Sequence, residues 1–255
     1  MNFKSIKELF FPNDYKCILC GEELNHNTLY SICDECMNKL PFNNGKVCIR
    51  CGEPLANMSN YCLHCKKTKP YFTKNTSLFL YEYPINKIIR QLKYDNKKYL
   101  SLTFSNMIAG EVSRMDIKFD MVIPVPLFEK RQKLRGYNQS ELLAESLYSK
   151  LGIEINTKVL VKIKSTRTQA NLTRAERMEN LENAFKVTDK KLVKGKTILL
   201  VDDVFTTGTT INECSKTLIE AGASKVYSVT LAHAHYSRSV LNNVSNNQNE
   251  NENRN

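Results

Sequence analysis

Residues 198–210 run Ile-Leu-Leu-Val-Asp-Asp-Val-Phe-Thr-Thr-Gly-Thr-Thr, and few folds can accommodate that order. Four apolar residues in succession, entered from the turn signal Lys194-Gly195-Lys196, predict a strand buried on both faces. Helical spacing takes over at Ile211, Cys214, Leu218 and Ile219, so a strand, a tight loop and a helix meet within a few residues. Asp202 and Asp203 stand where the strand ends. The loop after them, with Thr206, Thr207, Gly208, Thr209 and Thr210, is almost wholly threonine and glycine and opens a helix whose first backbone N–H groups attract anions. Two carboxylates beside an anion cradle make a place for a phosphate next to a diol or a metal ion. The plainer alternative is a sheet edge whose acids merely cap and solvate it.

Two commoner phosphate cradles are excluded. No Gly-x-x-x-x-Gly-Lys-Ser/Thr occurs, and no Gly-x-Gly-x-x-Gly follows a strand. The strip resembles a third kind, the phosphoribosyl pyrophosphate (PRPP) signature of type I phosphoribosyltransferases. That resemblance implies an α/β fold with a mostly parallel sheet flanked by helices.

Lys and Arg (37) outnumber Asp and Glu (26), a formal net charge of +11, which favours nucleic acid or phosphorylated metabolites as partners without choosing between them. The 255 residues, 42% of them apolar, suffice for one substantial core and a small satellite domain. Apolar stretches such as residues 121–128 fall far short of the roughly 20 residues a membrane helix requires. At the start, Lys4, Lys7 and Glu8 interrupt Ile6, Leu9, Phe10 and Phe11, so no secretory apolar core forms. A cytoplasmic protein without a membrane span is expected.

Eight of nine cysteines fall into Cys-x-x-Cys pairs: Cys17 with Cys20, Cys33 with Cys36, Cys48 with Cys51, and Cys62 with Cys65. In a reducing compartment such pairs are metal knuckles more often than disulfides, with a redox switch as the alternative. The stretch from Cys17 to Leu24 returns from Cys48 to Leu55, each copy followed by a second pair. The repeat assigns Cys17, Cys20, Cys33 and Cys36 to one tetrahedral zinc and Cys48, Cys51, Cys62 and Cys65 to another, with Gly21 and Gly52 turning the chain at each knuckle. Four protein ligands leave no open coordination position, so the zinc role is structural. His26 and His64 are substitute ligands by chemistry, His64 more simply an exposed knuckle residue.

A linker at residues 66–70 leads to a strand at 77–83, stopped by Pro84, and a helix with Ile85, Ile88, Ile89 and Leu92 on one face and Lys87, Arg90 and Lys93 on others. The turn at 94–100 mixes Tyr94 and Tyr99 with Lys97 and Lys98, which suits base stacking with phosphate neutralisation, or simply a solvated helix edge. A helix over 100–112 leads to a short buried strand at 121–126. After it, Lys130, Arg131, Lys133 and Arg135 form a basic loop at the strand's carboxyl end, where open α/β sheets bind ligands, and Asn138 with Glu141 caps the next helix. The polar stretch from Lys162 to Arg177 has the character of a mobile lid. From Pro124 to Arg177 there are eleven Lys or Arg against five Glu, so over half the excess charge sits on these two loops and their flanks. A strand at 226–231 follows, with His233 and His235 at its frayed end, Cys214 reads as a small core residue, and the Asn-rich residues after 240 predict disorder.

Taken in order, the cysteine pairs, Pro124-Val125-Pro126, Arg135-Gly136-Tyr137-Asn138-Gln139, Thr168-Gln169 with Leu172, Glu176, Arg177, Asn180, Ala184 and Phe185, and the strip above resemble the ComF family, phosphoribosyltransferase-like proteins linked to competence and DNA uptake. The likeness covers roughly residues 15 to 235; one departure is Asn96, where the family often has glycine. It implies a small N-terminal double zinc-ribbon domain (1–70), a phosphoribosyltransferase-like domain (71–240) and a polar tail (241–255). It also implies that Asp202 and Asp203 hold the ribose hydroxyls of PRPP, directly or through Mg2+, and that residues 206–210 wrap the 5'-phosphate. Arg131, Lys133 and Arg135 would neutralise the departing pyrophosphate, with Arg167 closing from the lid. Two functions remain: transfer of phosphoribose to an acceptor, or a non-catalytic platform for single-stranded DNA working with competence-machinery proteins.

Overall fold

The computed structural model describes residues 16–24, 30–166 and 174–234. His26, Arg167, Thr168, Gln169, Leu172, His235 and the tail lie outside them.

Two short helices, α1 (Asp34–Asn38) and α2 (Leu63–Lys67), carry the last cysteine of each knuckle. Strand β1 (Lys74–Leu80) leads to α3 (Ile85–Tyr94) and α4 (Leu100–Ser113), and β2 (Met121–Pro124) to α5 (Glu129–Arg135) and α6 (Gln139–Leu151). Then come β3 (Leu160–Lys162), α7 (Arg174–Leu181), β4 (Phe185–Val187) and the single turn α8 (Lys190–Val193). Last are β5 (Thr197–Phe205), α9 (Thr209–Glu220) and β6 (Lys225–His233).

Four strands form one sheet in the order β1-β6-β5-β2, every pairing parallel, and β3 pairs antiparallel with β4 beside it. The apolar run of β5 explains its central place. Leu199 and Val201 pack toward α3, α4 and α6, while Ile198 and Leu200 pack toward α9 and β3. All four are 0% exposed, and burying a side chain of this size stabilises by about 1.5–3 kcal/mol. No strand without helices on both faces could hide them.

The helices follow their sequence signals. Ile85, Ile88, Ile89 and Leu92 are all buried on α3. Asn138 caps α6, its side chain accepting from the Ser140 N–H at 3.0 Å and donating to the Val125 carbonyl at 3.0 Å, which ties the helix start to the end of β2. Cys214 is fully buried on α9.

Two segments differ from expectation. The first strand starts at Lys74, because residues from Lys74 onward pair with β6 from Tyr227 onward, and it ends at Leu80. The basic segment after β2 is a helix, not a loop: it opens on Glu129, whose carboxylate meets Lys133 one turn later at 2.5 Å, and it ends at Gly136 with φ +79°. Asn96 adopts φ +54°, a left-handed conformation that asparagine tolerates better than most residues. Among the described residues no helix is long and apolar enough to cross a membrane.

Candidate functional site

The same hydrophobic run that buries β5 carries Asp202 and Asp203 inward, to 8% and 4% exposure. Carboxylates removed from water need partners. Asp202 Oδ1 accepts from the Ser140 hydroxyl at 2.9 Å and from the Asp203 N–H at 2.9 Å. Asp203 Oδ2 meets Lys93 Nζ, from the end of α3, at 2.8 Å. Burial and then the adjacent Asp203 charge push Asp202 up to about 7, against the pull of Lys93 and Ser140. Burial works to lower Lys93, but the Asp203 and Asp202 carboxylates outweigh it and hold the ammonium above its ordinary range. The pair thus divides into an ion-paired carboxylate and a neighbour that titrates near neutral pH.

Beyond Phe205 the chain turns through Gly208 at φ +75°. A Cβ there would lie 2.4 Å from Phe205 Cζ, so glycine is required by both backbone conformation and space. Thr207 and Thr209 hydroxyls meet at 2.8 Å, and α9 begins at Thr209 without a side-chain cap. An uncapped helix start next to small polar side chains is a setting that favours an anion.

The cations distribute unevenly. Arg135 hydrogen-bonds the Gln139 side-chain carbonyl and lies 5.6 Å from the Tyr94 ring centre. Tyr94 follows Lys93 and Gln139 precedes Ser140 in sequence, so Arg135 contacts the chain neighbours of the two residues that hold the acids. Arg131 and Asp202 both act on Lys162, whose pKa falls to about 8, chiefly through burial and then Arg131, with Cys214 and Asp202 opposing. Lys162 donates to Thr166 Oγ1 at 2.7 Å. Lys133 sits in its exposed pair with Glu129.

Lys93 and Ser140 were not legible as site residues. Lys93 borders the apolar face of α3, and Ser140 is hidden in a helix start; nothing in their spacing relates either to β5. The one signal was charge economy: buried paired acids call for a cation and a donor from elsewhere in the chain.

The cysteines form two clusters, Cys17, Cys20, Cys33 and Cys36 in one and Cys48, Cys51, Cys62 and Cys65 in the other, with all sulfurs in each cluster within 4.8 Å of one another. The sequential pairing is the one observed. Backbone N–H groups face sulfur, from Cys33 to Cys17 at 3.4 Å and from Cys65 to Cys62 at 3.4 Å. Gly21 and Gly52 take φ +82° and +78°. Four converging sulfurs fit tetrahedral zinc and leave no position open.

Residues 138–252 match the phosphoribosyl transferase domain, and residues 6–66 match the double zinc ribbon domain. With the parallel sheet and the two four-cysteine centres, this defines a phosphoribosyltransferase-fold protein carrying a structural zinc-ribbon unit. The chain is 31% identical over 230 residues to competence protein F of Haemophilus influenzae, covering 87% of this chain and 98% of that one. It is 30% identical to DNA utilization protein YhgH of Salmonella typhimurium, covering 82% and 86%. Competence protein ComFC of Bacillus subtilis is 24% identical, covering 84% and 93%. The chain belongs to the ComF family.

Proposed function

We propose that the chain binds PRPP with Mg2+ and transfers its phosphoribose to an acceptor, serving competence and DNA uptake from the cytoplasm. The observation that supports this best is the buried Asp202 and Asp203 pair running directly into the threonine loop, because a binder of polyanions alone has no reason to bury two carboxylates beside its phosphate cradle. In this reading Asp202 and Asp203 hold the ribose hydroxyls, and Thr206, Thr207, Gly208, Thr209 and Thr210 wrap the 5'-phosphate. Ser140 orients Asp202, while Lys93 keeps Asp203 aimed. As pyrophosphate departs, positive charge grows on the ribose beside the carboxylates, and negative charge gathers where Arg131 and Arg135 stand. Lys133 joins them by leaving an exposed pair, which costs little, and Arg167, which lies outside the described residues, is the fourth cation of the proposal. Buried carboxylate oxygens are hard donors that suit Mg2+, with Asp202 the better placed since Lys93 already takes Oδ2 of Asp203. Bound with the ligand, the ion would spread the charge of the diphosphate. We keep the division into residues 1–70, 71–240 and 241–255 as the proposed domain plan.

Calorimetry with PRPP and Mg2+ tests the reading. Wild type is expected to give saturable heat, and a variant with Asp202→Asn and Asp203→Asn to lose it. No heat from wild type, alongside salt-dependent binding of single-stranded DNA, rejects it.

A second reading, a single-stranded DNA platform, is favoured by one specific observation. Tyr94 and Tyr99 are exposed at 68% and 50% beside Lys97 and Lys98, Arg135 lies over Tyr94, and Lys98 lies 4.7 Å from the Tyr137 ring centre. Aromatic faces among cations suit stacked bases and neutralised phosphates.

A further inference from the structure

The two cysteine clusters share an internal geometry but differ in their surroundings. Cys20 Sγ lies 3.7 Å from Cys33 Sγ in the first, and Cys51 Sγ lies 3.6 Å from Cys62 Sγ in the second. In each, a sulfur of one Cys-x-x-Cys pair faces a sulfur of the next, the arrangement from which a disulfide closes. Burial separates the two. All four cysteines of the second cluster are only 1% to 6% exposed. The second knuckle roofs a cavity of about 870 Å3 beside the threonine loop, and although Cys51 and Cys62 reach its wall, they offer it little surface. In the first cluster only Cys17 is buried; Cys33 and Cys36 are half-buried, and Cys20 is exposed.

We propose that the first cluster is a peroxide-sensitive thiol site, with Cys20 the sulfur that the oxidant reaches and Cys33 the sulfur that captures it as a disulfide, a role independent of the transferase reading. Which thiolate an oxidant attacks follows thiolate character and access. Both clusters supply thiolates, so access decides, and it singles out Cys20.

The Cys20 thiolate attacks one oxygen of hydrogen peroxide, the O–O bond breaks and hydroxide leaves, giving a sulfenic acid. The Cys33 thiolate then attacks the Cys20 sulfur, the S–S bond forms as the S–O bond breaks, and a second hydroxide departs. Two protons from solvent turn both hydroxides into water. The two sulfurs together lose two electrons, and one peroxide gains them. Cys17 and Cys36 remain, too few ligands for a four-coordinate centre, so zinc leaves the first cluster. A thiol reductant with zinc resupplied reverses the sequence.

The metal there braces one side of the sheet. Ile18 N–H donates to the Ser31 carbonyl at 2.9 Å, tying the two halves of the first knuckle together. Cys17, Leu24, Ile32 and Leu40 share an apolar cluster with Phe79 of β1 and Ile108 of α4. So short a stretch holds its fold through the metal more than through burial, and oxidation therefore loosens these contacts. The second knuckle, with its sulfurs buried and its Cys51 carbonyl held by Asn75 at 3.0 Å, stays in place.

The test is a hydrogen peroxide titration of the zinc-loaded full chain, with released zinc read by a chromogenic chelator and the disulfides mapped by proteolysis and mass spectrometry. One of the two zinc ions is expected to leave at least about tenfold faster than the other, with Cys20 to Cys33 as the first disulfide. Dithiothreitol and added zinc should restore the starting content. Cys20→Ser removes a ligand together with the reactive sulfur, so Cys20→His is the sharper variant: imidazole is a ligand zinc accepts and cannot form a sulfenic acid. It is expected to keep both ions through the peroxide dose that empties the wild-type first cluster. The wild-type rates and map decide by themselves even where this variant loads incompletely. Release of both ions at one rate, a first disulfide between Cys51 and Cys62, or a sulfinic acid on Cys20 without the disulfide overturns the proposal. So does undiminished zinc release from the loaded Cys20→His variant.

Discussion

Asp202 and Asp203 are adjacent and chemically identical, yet their neighbours give them different work. Asp203 faces an ammonium at 2.8 Å, whereas Asp202 accepts from a hydroxyl and a backbone N–H. Asp202 rises from the ordinary 3.8 to about 7. Between those two values the folded chain holds a proton that the unfolded chain has released. Its contribution to stability is therefore fully present at the acid end and is lost as pH rises toward 7. Asp202→Asn accepts the same hydrogen bonds without the charge. Its urea stability relative to wild type should grow between pH 4 and 7, reaching about 4 kcal/mol, and level off above. A difference that shrinks over that window rejects the buried, proton-holding Asp202. Lys93→Met should lower stability by about 2 kcal/mol at pH 7, because it leaves Asp203 in the interior without its cation, and should weaken PRPP binding in calorimetry. Unchanged binding would remove Lys93 from the site.

At the scale of elements, the threonine loop depends on one residue without a side chain. Gly208→Ala combines a left-handed φ with a Cβ at 2.4 Å from the Phe205 ring. It should cost about 1–3 kcal/mol in urea melts and disturb phosphate binding through the displaced ring. Most elements were legible because their periodicity is strong: α3 from its isoleucines, β5 from its apolar run, and α9 from Ile211, Cys214 and Leu218. The helix α5 was not. Its basic run lacks an apolar face, and its start and end depend on the Glu129 to Lys133 pair and the Gly136 turn, which are single local interactions rather than a period. The pairing of β3 with β4 was equally hidden, since three-residue strands carry no pattern.

At the scale of the molecule, the zinc knuckles are parts of the main core rather than appendages. Cys17 shares an apolar cluster with Phe104 and Leu143, and Cys48, Cys51, Cys62 and Cys65 share one with Ile123 and Leu200. A buried polar network joins the second knuckle to the sheet. Asn75 donates to the Cys51 carbonyl at 3.0 Å and to Ser77 at 3.0 Å, accepts from Ser228 at 2.8 Å, and Ser77 meets Thr230 at 2.7 Å. Asn75→Ala should cost about 2–3 kcal/mol by leaving these groups unpaired. Metal analysis should find about two zinc per chain, one for each cluster. Cys51→Ser should reduce that to about one and lower the melting temperature of the whole chain in a single transition. Two separate transitions would mean that the knuckle and the sheet fold independently.

Sequence by itself determined the local identities: which residues make the buried strand, which cysteines pair, and where the threonine loop lies. Each is encoded over a short range, by periodicity, spacing or repeat. Tertiary structure alone decided which distant groups answer them. It brought Lys93 and Ser140 to the acids and the second zinc knuckle over the cavity, because a buried charge or an open sheet edge specifies the kind of partner it needs, while the packing of helices on the sheet selects which residue supplies it.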